Sequence, residues 1–268
     1  MLEFAHAKIN IGLHITRKRS DGYHELETVF YPIRLYDAVE VLPAQKHFFE
    51  VVGSTLPVDS SNLCVKAYQL LAEHEGLPSA EIRLLKRIPV GAGLGGGSSD
   101  AAATLRLLNE VFDLKLPAQK LANYAARLGA DCPFFLYDQP MYAEGIGTEL
   151  TPLAVDLDAY HIVVVKPEMF ISTAEAYADV QPKPSDLDLR KAIAMPIQQW
   201  KYIIKNDFEN SIFSRHPQLS ELKNRFYEMG AHYASMSGSG SAVYGIFDSL
   251  EKDWTSLEPY GELFLPQW

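Results

Sequence analysis

The sequence predicts an α+β protein of two domains. Three observations carry that prediction: a period-two apolar pattern near the start, helix and strand patterns that mix irregularly, and a change of character after about residue 150, where an apolar strand run precedes a long helical stretch. The 268 residues are 47% hydrophobic and 22% charged, which is ordinary globular usage. A chain of this mass buries roughly 73% of its extended surface on folding, so neither disulfide nor metal staples are needed.

Taken in order, Ile9, Ile11, Leu13 and Ile15 alternate with Lys8, Asn10, Gly12 and His14. A strand here puts the apolar set on one face and Lys8 with Asn10 on the other. Residues 16–22 read as a polar turn with Arg17, Lys18 and Arg19 solvated, and Val29-Phe30-Tyr31 and Val39-Glu40-Val41 as two further strands of a largely antiparallel sheet. From Asn62, residues 63–71 read as a helix, and residues 82–85 as a strand that ends before Pro89. Past a glycine-rich segment, Ser98 or Ser99 is expected to cap a helix through residues 101–108, with Asp100 favouring its N-terminal dipole. Pro117 opens another helix that stops near Gly129. Residues 162–165 then look like a buried strand, and much of 173–229 is helical, broken at Gln181-Pro182-Lys183-Pro184. Residues 237–241 lead into a last strand at 242–247.

Charge narrows the function. With 24 Lys plus Arg against 34 Asp plus Glu the net charge is −10, so the global field repels nucleic-acid backbones and anionic membranes. Nucleic acid and membrane are therefore not expected partners, and an anionic ligand needs a local pocket of backbone N–H groups. Cys64 and Cys132 stand outside any disulfide or metal spacing and read as reduced thiols of a cytoplasmic protein. The first residues have neither a basic segment nor a long apolar one, and no apolar run reaches membrane-spanning length, so secretion and insertion are not expected.

The strongest local signal is Pro89-Val90-Gly91-Ala92-Gly93-Leu94-Gly95-Gly96-Gly97-Ser98-Ser99-Asp100. A strand, a glycine loop and a helix start together make a backbone anion site. A Walker A loop requires Lys and then Ser or Thr after its last glycine, and Gly97 is followed by two serines instead. Gly91, Gly93 and Gly96 do satisfy G-x-G-x-x-G, but the acidic strand end that a dinucleotide fold places about 20 residues onward falls here among helical residues. A tight turn without a ligand is the bland alternative, and it requires only one or two glycines.

Phosphoryl transfer also calls for a carboxylate that accepts the nucleophile's proton. Asp131, in Leu128-Gly129-Ala130-Asp131-Cys132-Pro133, is the candidate, with a cap or turn aspartate as the alternative. Lys8 is the candidate cation, against a solvated strand lysine, and Asn10 has a hydrogen-bonded sheet residue as its alternative. Tyr23 and His24 follow the Asp21-Gly22 turn and suit stacking on a planar ligand, or simple packing.

Together, Ala7-Lys8-Ile9-Asn10, residues 89–102 and Gly238-Ser239-Gly240-Ser241 resemble the three ordered motifs of the GHMP kinases, the family of galactokinase and of homoserine, mevalonate and phosphomevalonate kinases. The resemblance implies that family's two-domain fold, with an N-terminal ATP-binding α/β domain over residues 1–150 and a C-terminal α+β domain over 151–268. Asp21-Gly22-Tyr23-His24, residues 128–133 and Ala143-Glu144-Gly145-Ile146-Gly147 resemble those members of non-mevalonate isoprenoid precursor biosynthesis that act on a cytidine diphosphate substrate. It implies transfer of the ATP γ-phosphate to the 2-hydroxyl of 4-diphosphocytidyl-2-C-methyl-D-erythritol, with Asp131 as base and Lys8 as its electrostatic partner.

The resemblance further implies that Pro89, Gly91, Ala92, Gly93, Leu94, Gly95, Gly96, Gly97, Ser98 and Ser99 wrap the ATP phosphates, and that Asn62 and Lys86 lie near the adenosine. Tyr23, His24 and Tyr177 would hold the cytidine, and Asn10 and Thr173 the methylerythritol. Tyr177 stands where this group often has Phe. Mg2+ is expected as the counter-charge of ATP, its protein ligands unassigned: Ser98, Ser99 and Asp100 lie at the right place along the loop, with helix capping and the helix dipole as their alternative roles; the oligomeric state is left open. The rival readings are another small-molecule kinase of the family, a non-catalytic nucleotide-binding protein that has lost Lys8 or its carboxylate, and a dinucleotide-dependent oxidoreductase. This chain has both Lys8 and Asp131.

Overall fold

The computed structural model describes residues 1–266. In chain order the first elements are β1 (Leu2–Lys18), β2 (His24–Pro43), β3 (Phe48–Val52), α1 (Leu63–Glu75), β4 (Ala80–Leu85), α2 (Gly96–Val111) and α3 (Ala118–Leu128), followed by a 3-10 turn at Cys132–Leu136. Then come β5 (Met141–Glu144), β6 (Glu149–Pro152), β7 (His161–Lys166), α4 (Thr173–Ala178), α5 (Leu189–Ile193), α6 (Ile197–Ile203), α7 (Phe208–Arg215), α8 (Pro217–Glu228), β8 (Tyr233–Met236) and β9 (Val243–Phe247). A 3-10 turn at Thr255–Tyr260 and β10 (Glu262–Phe264) complete the α+β set.

The chain divides into two compact units, each built from several segments. The first comprises Met1–Ala7, Leu35–Val90 and Gly95–Asp138. Here the second half of β2 pairs antiparallel with β4, Ala38 opposite Leu85 and Pro43 opposite Ala80, while β3 runs parallel to β4. Parallel neighbours need a crossover, and α1 supplies it. Asn62 starts α1 by accepting the Cys64 N–H at 2.9 Å, and Gly76 ends it in the left-handed region. Val39, Val41, Ile82 and Leu84 from the strands pack with Leu71, Leu105, Leu108 and Leu121 from the helices in one core. Each such fully buried side chain contributes about 1.5–3 kcal/mol.

The second unit comprises Lys8–Arg34, Gly91–Leu94 and Gln139–Trp268. The first half of β2 pairs antiparallel with β5, Thr28 opposite Ala143, and β5 with β6. A separate sheet in the order β10-β7-β9-β8 is antiparallel throughout. Val163, Val165, Val243 and Phe247 from that sheet pack with Phe208, Leu222 and Phe226 in a second core.

Three expectations are corrected. The two strands expected at 29–31 and 39–41 are one strand, β2. Its registered partner changes from β5 at residues 28–30 to β4 at residues 38–43, and Pro32, which has no N–H to donate, sits between the two ladders. The turn expected at 16–22 is shorter, because β1 continues to Lys18, where Arg17 pairs with Glu25 of β2. Neither Ser98 nor Ser99 caps α2; the cap position is Gly95, in the left-handed region at φ 73°, which a serine side chain disfavours. Among the described residues no helix is long and apolar enough to cross a membrane.

Candidate active site

The glycine loop alternates two environments. Ala92 and Leu94 are buried, while Gly91, Gly93 and Gly95 between them take positive φ values of 65°, 74° and 73°. Gly93 has no tolerance for a side chain, since a Cβ there would collide with the Ser237 carbonyl. Three successive loop carbonyls are fastened within the second unit. Ala92 O accepts the Ala242 N–H at 3.1 Å, Gly93 O the Ser237 hydroxyl at 2.9 Å, and Leu94 O the Lys8 N–H at 3.0 Å. In a trans peptide the N–H points opposite to the carbonyl. The N–H groups of Gly93, Leu94 and Gly95 each point away from the donor that anchors the carbonyl of the same peptide. Helix α2 then begins at Gly96, and its first-turn N–H groups have no intrahelical acceptor. The segment has the chemistry of a phosphate cradle. Of its remaining residues, Gly97 is exposed, Pro89 and Ser98 half-buried and Ser99 buried.

Lys86, which precedes the loop in the first unit, is buried and its ammonium is committed to carboxylates. It donates to Asp37 and, at 2.9 Å, to Asp100. Burial alone would lower its pKa, but Asp100 and Asp37 outweigh that and hold it raised. Asn62 is likewise engaged: besides capping α1 its amide donates to Pro57 O at 3.0 Å.

In the second unit Lys8 and Asn10 are 3% and 2% exposed, so the polar face of β1 is covered and the solvated-lysine alternative falls. Lys8 Nζ donates to Asn10 Oδ1 at 2.5 Å and lies 5.0 Å from the Phe30 ring centre. Asn10 is a junction. Its amide donates to Thr28 Oγ1 at 3.0 Å, its N–H to Ser237 Oγ at 3.3 Å, and its carbonyl accepts the Tyr244 hydroxyl at 2.7 Å. Since Ser237 Oγ also donates to Gly93 O, one hydroxyl ties the strand that carries Lys8 to the glycine loop. Asn206 secures the Ser237 segment in turn by donating to Met236 O and Gly238 O at 2.9 and 2.8 Å.

Asp131 lies in the first unit, half-buried and in αR conformation just before the 3-10 turn, with no capping bond from its side chain. Its carbonyl accepts the Phe134 N–H at 3.2 Å. Beside it, burial raises the Cys132 thiol to about 12, partly offset by the Ser98 hydroxyl, so the thiol stays protonated and unreactive. Cys64 is also buried, its pKa raised by burial and then by Asp100.

The aromatic candidates are in the second unit. The His24 and Tyr177 rings stack 4.6 Å apart at 21°, and Tyr177 meets Phe208 edge-on at 4.8 Å. Burial, then Lys18, lowers the His24 pKa, which keeps the imidazole neutral near pH 7. Tyr23 is 62% exposed at the turn, where its N–H is held by Asp21. Thr173 opens α4, exposed, behind the Ser172 cap. Sequence reasoning thus brought His24 with Tyr177 and Lys8 with Asn10. It missed Asp37, Thr28, Ser237 and Tyr244. Of these only Ser237 had a local signal, its place at the head of a Gly-Ser run.

These features define a small-molecule kinase. The profile for the GHMP kinases N terminal domain matches residues 62–139, and that for GHMP kinases C terminal matches residues 189–253. The 4-diphosphocytidyl-2-C-methyl-D-erythritol kinase of Bacteroides fragilis is 50% identical over 257 residues, covering 94% of each chain. The crystal structure of a 4-(cytidine 5'-diphospho)-2C-methyl-D-erythritol kinase superposes with a TM-score of 0.84 at 34% identity, over 98% of this chain and 97% of the other. The Methanococcus jannaschii mevalonate kinase, at 12% identity, TM-score 0.71 and coverage of 98% and 96%, shares the fold. This chain belongs to the 4-diphosphocytidyl-2-C-methyl-D-erythritol kinases, within the GHMP kinases.

Proposed function

We propose that the protein transfers the γ-phosphate of ATP to the 2-hydroxyl of 4-diphosphocytidyl-2-C-methyl-D-erythritol, a step of non-mevalonate isoprenoid precursor biosynthesis carried out in the cytoplasm. The observation that carries this reading is the glycine loop with three anchored carbonyls, in a chain half identical over nearly its whole length to a kinase named for that substrate. Profile matches at 62–139 and 189–253 fall one on each side of the proposed domain division, residues 1–150 and 151–268.

In the proposed reaction the 2-hydroxyl oxygen attacks the γ-phosphorus, its proton passes to the Asp131 carboxylate, and the bond from the γ-phosphorus to the bridging oxygen breaks to release ADP. The loop N–H groups and the start of α2 hold the phosphates in line, an electrostatic fit that costs no reorganisation during transfer. Lys8 offsets the developing negative charge. Lys8, buried on β1 with its Nζ 2.5 Å from Asn10 Oδ1, supplies a positive charge in a low-dielectric setting for that task. Asn62 serves the adenosine side, Tyr23, His24 and Tyr177 the cytidine, and Asn10 and Thr173 the methylerythritol.

Mg2+ arrives with ATP as part of that substrate. It binds chiefly through phosphate oxygens and its own waters, with one or two protein ligands at most. Among the described residues no group of three or more His, Cys, Asp or Glu is placed to hold a metal ion.

The test is to supply MgATP with 4-diphosphocytidyl-2-C-methyl-D-erythritol, and with homoserine and mevalonate in parallel, while following ADP and the phosphorylated product. Product from the cytidine substrate alone is expected. Product only from another acceptor overturns the substrate; ATP binding without any product overturns the reaction.

A further inference from the structure

One buried group of charges grips both ends of the glycine loop. Lys86 precedes the loop, Asp100 lies in the first helical turn after it, and Asp37 comes from β2; all three belong to the first unit. The Lys86 side chain is 4% exposed, Asp37 0% and Asp100 2%. Lys86 donates to both carboxylates, and the second oxygen of Asp37 accepts the N–H groups of Arg87 at 2.5 Å and Ile88 at 2.8 Å. The chain leaving β4 and the first turn of α2 are therefore joined through a single ammonium. A Cβ placed on Gly96 would lie 2.9 Å from Lys86 Nζ, so that ammonium sits against the residue that opens the helix.

We propose that Asp37, Lys86 and Asp100 form a positioning clamp that sets the shape of the glycine loop, so that Lys86 serves the nucleotide through the loop's geometry. The proposal rests on the reading of that loop as the ATP phosphate site.

The charge balance fits a clamp beneath an anion site. Three ionised groups would sum to −1 in the interior, under a helix start that must receive a triphosphate. Burying an unbalanced charge is costly, and a group in that position takes up or releases a proton instead. Oδ1 of Asp100 is buried with no hydrogen-bond partner. Burial raises the Asp100 carboxyl to about 8, with Lys86 opposing the rise and Asp37 adding to it. A proton on Asp100 leaves one cation and one anion, and the clamp no longer repels the phosphates.

The experiment measures binding of MgATP and of magnesium tripolyphosphate, which has the phosphates without the adenosine, to the full chain and to Lys86→Met, Asp100→Leu and Asp100→Asn. Lys86→Met, which leaves the Asp37 carboxylate buried without its cation, and Asp100→Leu, which removes the acceptor that joins Lys86 to the first turn of α2, are each expected to weaken both ligands by the same factor, about tenfold or more. Asp100→Asn, which mimics the neutral acid, is expected to stay within about threefold near neutral pH. Loss of ATP affinity in Lys86→Met with tripolyphosphate unaffected would mean direct contact with the adenosine and overturns the clamp. So does an Asp100→Leu protein that binds both ligands normally. Failure of tripolyphosphate to displace ATP from the wild-type protein overturns the phosphate reading of the loop and the clamp with it, whereas failure of the variant pattern alone leaves that reading intact. If Lys86→Met and Asp100→Leu do not fold, hydrogen exchange of residues 89–99 in Lys86→Arg decides. Faster exchange there than in the wild type supports the clamp, and unchanged exchange refutes it.

Discussion

Replacing Asp100 by Asn should remove a pH-dependent loss of stability that the wild-type protein carries. The Asp100 carboxyl titrates near 3.8 in an unperturbed chain and is raised to about 8 in the fold, first by burial and then by Asp37, against the pull of Lys86. Cys64 from α1 and the Thr104 side chain also line this pocket, and the Cys64 thiol stays protonated throughout. Because the folded pKa is the higher one, the folded state binds the extra proton. The stabilisation is complete below the unfolded value, drains as pH rises, and is gone once pH passes the folded value. Across that window the slope is about 1.4 kcal/mol per pH unit, so between about pH 6 and about pH 7.5 the wild type loses about 2 kcal/mol that the Asn variant does not. Urea unfolding of both proteins at several pH values across this range reads the difference, and groups common to both proteins cancel. A stability difference that stays constant with pH would refute the protonated carboxyl and the neutral clamp built on it.

Asp131→Asn should lower kcat by about 10²–10⁴-fold while ATP affinity, measured by calorimetry, stays nearly unchanged, because an amide cannot take the hydroxyl proton; unchanged turnover would remove Asp131 as base. Tyr23→Ala should raise KM for the cytidine substrate by about two- to tenfold with kcat retained, the worth of one aromatic stack; equal KM would discard the stacking role. Gly93→Ala, which combines a φ of 74° with a collision at the Ser237 carbonyl, should abolish measurable ATP binding in a chain that still folds, and normal ATP affinity would contradict the loop's role. Ser237→Ala removes one loop anchor, and a loss of about 1 kcal/mol in ATP affinity is expected, read by titration against the wild type.

What was legible in the sequence was local. The alternation of Ile9, Ile11, Leu13 and Ile15 marked β1, Asn62 marked the start of α1, and Pro117 and Gly129 bracketed α3. The glycine loop stood out because its signal is contained in a dozen consecutive residues. Lys8 was harder: period two separates two faces of a strand but does not say whether the second is covered, and here it is. Capping of α2 was misread because serine is a good cap by preference, whereas the loop before this helix turns through left-handed backbone at Gly95, where glycine is favoured. The meeting of Asp37, Lys86 and Asp100 carries no sequence pattern, since it depends on how β2, the end of β4 and α2 pack.

The same comparison explains how a chain of net charge −10 can receive a triphosphate. Its global field opposes the ligand, and the buried cation that precedes the loop, Lys86, is spent on two carboxylates. Backbone dipoles therefore supply a share of the attraction. Anchoring the carbonyls of Ala92, Gly93 and Leu94 leaves the N–H of each peptide pointing away from its anchor, and the start of α2 adds its own N–H groups. Partial charges of this kind are effective only if nothing nearby cancels them, and an ionised Asp100 under the helix would do so. Keeping that carboxyl neutral preserves the field of the loop, so the strength of phosphate binding should depend on the protonation of a residue that the phosphates need never touch.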